Sequence, residues 1–437
     1  MLLPSNPTLR DKIVNIADFN GVCPVSAPLK QFNLSVVTAR AALPGGALIY
    51  NPRAGTGGAL RDSTAIMYVR TSDLDAAGKL KAGVPVEPLV LRVNAGDCID
   101  VTLNNTLPLI PPDAPGWFTL PMLIPHFNAN HLRVSSVVGL HPQLLALDVT
   151  RSDGTEVGGN NGGYTQLVSP GKTTVKPYRW YAGEISVDKA NYMTATPIEF
   201  GATNLIPSDP VKHGNKGAVG ALVVEPKGAT WTEDATTRAS ATVTKADGTT
   251  FREFVLVFQD NINLSNDKGP IPLTAGEEDP EDSGQQAFNY RTEPMWKRMG
   301  YTADATLGVT GGLDFTNVLS NTQVGGDPVT PVFTAKAGDA VRFRVLHPAG
   351  HQRNHVFTVS GHSWREMPYV NNSLDIGHNP TSESRGSQTG IGPTSHFNMV
   401  LERGAGGAFK VPGDYLIRDF QSFQFDGGLW GILRVTP

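Results

Sequence analysis

Two stretches of this chain carry the same alternation of apolar and polar positions. In "LVLRVNAGDCIDVTLNNTLP" (Leu89 to Pro108) and "PVFTAKAGDAVRFRVLHP" (Pro331 to Pro348), an apolar segment meets Ala-Gly-Asp and resumes beyond it. A period of two is that of a strand, whose successive side chains point to opposite faces. It puts Val101 and Leu103 on one face of the first copy, and Phe343 and Val345 on one face of the second. A second echo follows in each half: "GAVGALVVEP" (Gly217 to Pro226) and "GGLWGILRVTP" (Gly427 to Pro437). Each is preceded by a Pro-Gly turn and an aromatic strand, "SPGKTTVKPYRWYAG" in the first half and "VPGDYLIRDF" in the second. Two copies of one order of parts predict two β-domains of the same design.

The expected boundaries follow from this repeat. Residues 1–85 read as an extension packing on the first domain, 86–228 as that domain, 229–250 as a linker and 251–437 as the second domain. The linker is rich in Thr, Ala and Asp, and "FREFVLVFQD" (Phe251 to Asp260) opens the second domain with an apolar strand. Thr274 to Gln286 and Asn371 to Pro393 have the Gly, Pro, Ser and acid content of exposed excursions.

Composition agrees with many short strands joined by irregular loops. Of 437 residues, 17% are charged, with 47 Gly and 33 Pro. A net charge of -4 with scattered basic residues gives no nucleic-acid footprint, and no apolar run is long enough to cross a bilayer as a helix. The opening "MLLPSNPTLRDKIV" has no basic region followed by a long apolar core, so no signal peptide is visible. It reads as a mature or internal stretch of chain, or a cytoplasmic one. Two cysteines, Cys23 and Cys98, exclude a disulfide framework and a Cys-based zinc site. One bridge between them, tying the N-terminal segment to the strand that carries Cys98, and two buried thiols both satisfy the sequence.

Ala-Gly-Asp before a strand, "HVFTVSGHSW" midway and Pro-Gly-Asp-Tyr near the end resemble a cupredoxin domain. The pair, over residues 85–437, resembles the multicopper oxidase family, particularly its large, diverged bacterial, manganese-oxidase-like members. The resemblance implies an all-β protein: two cupredoxin-like Greek-key barrels or sandwiches with long loop insertions. It also implies where copper ligands would stand. For the three-copper cluster these are Gly139 and His141, Ala182 and Glu184, Thr358 and Ser360, and Arg418 and Phe420, so one of eight positions keeps a His. For the electron-transfer copper they are His355, Asp419 in place of Cys, Gln424 in place of the second His, and Trp430 near the axial position. A site that cycles between Cu(I) and Cu(II) needs soft thiolate and imidazole, and no Cys lies beyond Cys98.

The remaining candidates are weaker. His347, His351, His355 and His362, in "HPAGHQRNHVFTVSGH", are the densest His cluster, and with His141 they are the metal-ligand candidates of imidazole type. A spacing of seven puts His355 and His362 on opposite faces of a continuous strand, so hydrogen-bonded loop and core histidines are the simpler reading. The same holds for His126 and His131. The acidic loop Glu277, Glu278, Asp279, Glu281 and Asp282 suits Ca²⁺ or Mn²⁺, yet lacks EF-hand spacing and reads first as a solvated charge run. Trp180, Tyr181, Trp364, Phe423 and Trp430 fit core better than pocket. There is no phosphate loop and no nucleophile elbow.

The expected function is therefore that of a copper-ligand-depleted relative of the oxidases, without independent oxidase activity. It would be a structural or interaction subunit with a protein partner or self-association, and no cofactor is expected. The alternative is a copper-dependent oxidase of phenols or of metal ions such as Mn(II), its site completed at a chain interface. The resemblance implies an extracellular, cell-surface or periplasmic location.

Overall fold

The computed structural model describes residues 19–55, 57–113, 132–160, 163–187, 193–209, 211–260, 262–271, 286–302, 314–350, 354–420 and 427–437. The chain is all-β, and the helices among these residues are single turns. In the first half the main strands are β1 (Leu29–Thr38), β2 (Ile66–Arg70), β3 (Leu89–Asn94), β4 (Cys98–Asn105), β5 (Leu140–Pro142), β6 (Ala146–Leu147), β7 (Tyr178–Tyr181), β8 (Gly201–Pro207) and β9 (Gly220–Glu225). They form two sheets, ordered β6-β7-β4-β1-β2 and β3-β9-β8-β5.

The second half repeats the plan. Its strands are β10 (Thr230–Asp234), β11 (Thr237–Thr244), β12 (Thr250–Gln259), β13 (Val332–Lys336), β14 (Val341–His347), β15 (His355–Val359), β16 (Gln388–Ile391), β17 (Ser395–Val400), β18 (Gly413–Asp419) and β19 (Trp430–Thr436). Their sheets are β10-β11-β12-β14-β17 and β13-β19-β18-β15-β16. The two Ala-Gly-Asp turns do the same work in each copy. Each carries the chain from one sheet to the other, so β3 pairs parallel with β9 and β13 with β19, while β4 pairs parallel with β1 and β14 with β12.

Of the barrels or sandwiches expected, the described residues form open two-layer sandwiches, and no sheet among them closes into a barrel. Leu29–Thr38, expected in an extension, lies inside the first sandwich, because β1 hydrogen-bonds along the whole of β4. Residues 230–244, expected in a linker, form the outer strands β10 and β11, whose Thr-rich sequence suits an edge covered on one side only.

Each sandwich has its own apolar core. Leu91, Val101, Leu103, Trp180 and Leu222 fill the first, and Phe254, Phe343, Val345, Phe357 and Leu433 the second. Trp180, Tyr181, Trp364 and Trp430 are buried, as expected of barrel-spaced aromatics. Of the two readings open for Cys23 and Cys98, the structure has the bridge.

The halves pack sheet to sheet. Val90, Ala221 and Val223 of the first meet Val255, Val257 and Leu346 of the second. The same strand faces carry charge: Arg92 on β3, Glu225 on β9, Glu253 on β12 and Arg344 on β14, all with buried side chains. Arg92 Nε and Arg344 Nε hold the two oxygens of Glu253 at 3.1 and 2.8 Å. Glu225 is more loosely held, 3.6 Å from Arg92 Nε and 3.8 Å from Arg344 Nη2.

Candidate metal centre

Four strands of the second sandwich end in a polar residue that faces its core. Along β12, Phe254, Leu256 and Phe258 point inward, and the next position of that face is Asp260. Phe343 and Val345 lead to His347 at the end of β14. On β15, Val359 and Phe357 lead back to His355, and on β18 Ile417 leads to Asp419. Parallel pairing of β12 with β14 brings Asp260 and His347 to one rim. Antiparallel pairing of β15 with β18 brings the start of one beside the end of the other. The four residues cap the apolar core from one end, and all are fully buried.

Three of the four bring a donor atom each to within 4.8 Å of the others: Asp260, His347 and His355. Asp260 Oδ2 is 3.0 Å from His347 Nε2 and 3.3 Å from His355 Nε2. On its far side, His355 Nδ1 lies 2.5 Å from Asp419 Oδ2, and the Val356 amide donates to Asp419 Oδ1 at 2.8 Å. The His347 and His355 rings stand edge to face, 5.0 Å apart, with the Phe258 ring 5.0 Å from His355. Gly350 passes so close that a Cβ there would overlap Asp260 Oδ1.

Burial would pull the His355 imidazole down, but the facing Asp260 and Asp419 carboxylates outweigh it and raise it to about 9. Burial likewise opposes ionisation of Asp260, and the His347 and His355 imidazoles overcome it and hold its carboxyl below the ordinary range. Without a metal, His355 at neutral pH is thus an imidazolium between two carboxylates. His347 is different. Its Nε2 is in ionic contact with Asp260 Oδ2 at 3.0 Å, and neither ring nitrogen has a hydrogen-bond partner among the described residues.

The other sequence candidates lie elsewhere. His141 sits in β5 of the first half, half-exposed, with Nδ1 3.0 Å from the Asp153 carbonyl. His362 is satisfied by backbone groups of two loops: Nδ1 lies 2.9 Å from the Ser360 carbonyl and Nε2 accepts from the Gly406 amide at 3.1 Å. His351 and the acidic loop of Glu277, Glu278, Asp279, Glu281 and Asp282 lie outside the described residues, as do His126, His131, Phe423 and Gln424. Asp260 was not among the sequence candidates, yet it was legible: it is an acid that continues the period-two face of Phe254, Leu256 and Phe258.

The residues do not fit a blue-copper centre. Asp419, at the expected thiolate position, is a hard donor already engaged by His355 and the Val356 amide, and both cysteines of the chain are bonded to each other in the first half. At one cluster position there is no room for a ligand: a Cβ on Gly139 would overlap the Gly154 carbonyl oxygen.

No known protein family and no curated protein matches the chain in sequence. Solved structures do resemble it in fold. One is a multicopper oxidase, 14% identical, covering 96% of this chain and 94% of that one with a TM-score of 0.49. Another is the copper nitrite reductase from Nitrosomonas europaea, at 17% identity, 93% and 94% coverage and a TM-score of 0.48. A third is the blue copper oxidase from Nitrosomonas europaea, at 14% identity, 93% and 86% coverage and a TM-score of 0.46. The likeness is one of fold. What the site does is argued from this chain's own residues.

Proposed function

We propose that this chain is a copper-ligand-depleted protein of oxidase-like architecture, acting as a structural or interaction subunit rather than as an oxidase. One observation carries the reading: the Cys23–Cys98 bridge uses every cysteine of the 437-residue chain, so no thiolate is left to hold an electron-transfer copper. The Asp419–His355 contact and the closed space at Gly139 support it. A sandwich pair of this size needs no metal to fold, because apolar burial supplies most of its stability. The bridge also favours an oxidising compartment: extracellular, cell-surface or periplasmic.

The test is to load the purified, oxidised chain with copper and assay it in air with a phenol and with Mn(II). No blue absorbance and no turnover of either substrate are expected. A blue band, or turnover by the chain alone, would show that it is an oxidase after all.

A further inference from the structure

We propose that Asp260, His347 and His355 form a buried mononuclear site for a divalent metal ion of the zinc class, with Asp419 orienting His355. Two imidazoles and a carboxylate suit borderline ions such as Zn²⁺ and Co²⁺, and need no thiolate. Around a tetrahedral ion with bonds of about 2.0–2.1 Å, neighbouring donors sit about 3.3 Å apart. Asp260 Oδ2 stands 3.0 and 3.3 Å from the two imidazole nitrogens, the edges such an ion would span.

His347 supplies the independent sign of a missing ligand. Its ring is fully buried, and neither nitrogen is hydrogen-bonded among the described residues, a costly arrangement for a polar group away from water. An ion beside Nε2 gives that nitrogen a partner along its lone pair. His355 is prepared for the same role from behind. Its Nδ1 faces Asp419 Oδ2, and a carboxylate behind an imidazole fixes the tautomer whose Nε2 lone pair is free for metal. The Val356 amide in turn holds Asp419 in place. The ion then replaces the proton between His355 Nε2 and Asp260, and that proton leaves to solvent. Three protein donors leave a fourth position for water.

The site shares His355 and Asp419 with the expected electron-transfer copper position but needs no thiolate, so its test with Zn²⁺ and Co²⁺ separates from the copper oxidase assay. Protein stripped with a chelator is titrated with Zn²⁺ alone and with Co²⁺ alone, by calorimetry and elemental analysis. One Zn²⁺ per chain is expected, with a rise in melting temperature. The Co²⁺ form should show tetrahedral visible bands and two exchangeable, paramagnetically shifted imidazole N–H signals, from His347 Nδ1 and His355 Nδ1.

His347→Gln and Asp260→Asn should each abolish stoichiometric binding. Asp419→Asn should weaken it by about 10- to 100-fold, as outer carboxylates do. His362→Gln, outside the donor set, should leave binding unchanged. Failure of the folded, stripped wild type to take up one Zn²⁺ overturns the proposal. So does unchanged binding in folded His347→Gln. Should that variant fail to fold, a Co²⁺ spectrum with fewer than two shifted imidazole N–H signals overturns it on the wild type alone.

Discussion

At the ends of four strands, the position that alternation assigns to the core is held by an acid or a histidine. In metal-free protein, Asp419→Asn removes the charged hydrogen bond at His355 Nδ1 while Asp260 still faces Nε2, and should lower stability by about 1.5–3 kcal/mol in chemical denaturation. A loss below about 1 kcal/mol would mean that His355 is neutral there. Gly139 is a residue-scale constraint of another kind. Gly139→Ala must push a methyl group into the Gly154 carbonyl, and should cost about 3 kcal/mol or more, or abolish soluble expression. A wild-type melting curve for the alanine variant would show that the close approach is not needed.

Among the elements, the strands at the seam between the halves carry buried charges among apolar residues on the face turned away from each sandwich's own core. Glu253 is held by both Arg92 and Arg344, so Glu253→Gln should destabilise by about 3–5 kcal/mol. Glu225 is the opposite case. Burial, and then the Glu253 charge, raise its carboxyl well above the ordinary 4.5, against the pull of Arg344 and Arg92. With a raised folded value, its contribution to stability is whole below about pH 4.5 and is lost as pH rises toward the elevated one. Glu225→Gln should match wild type near pH 4.5 and become the more stable protein at pH 7–8, gaining up to about 1.4 kcal/mol per pH unit. Thermal melts of both proteins across that range decide it, and a variant less stable at pH 8 would show Glu225 to be a working anion. The Cys23–Cys98 bridge closes a loop with a sequence separation of 75 that contains β1, β2 and β3. Replacing both cysteines with Ser should cost about 2–5 kcal/mol, read as a lower melting temperature that reductant no longer changes.

The two sandwiches share an apolar and charge-paired interface, so they should unfold together. A single calorimetric transition is expected for wild type. Val223→Asp, which puts an unpaired carboxylate among Val90, Val255 and Leu346, should split it in two. Two transitions in the wild type would mean that the halves are joined only by chain.

The strands, the repeat and the scarcity of cysteine were legible in the sequence alone. Period-two alternation and turn chemistry are local, and a count of two cysteines needs no coordinates. Alternation also set Phe343 and Val345 on one face, and that face lies in the second core because a sandwich buries one face of every strand. Only the tertiary structure decided what covers the other face. Arg342 and Arg344 alternate with that core and look solvent-bound, yet both are buried against the first half. The bridge was one of two readings until β7 and the segment at Cys23 were brought together around Cys98. The candidate metal centre divides in the same way. His347 and His355 were visible as histidines, but Asp260, 87 residues before His347 in sequence, joins them only because parallel pairing of β12 with β14 ends both strands at one rim. Spacing along the chain cannot report a meeting that sheet topology creates.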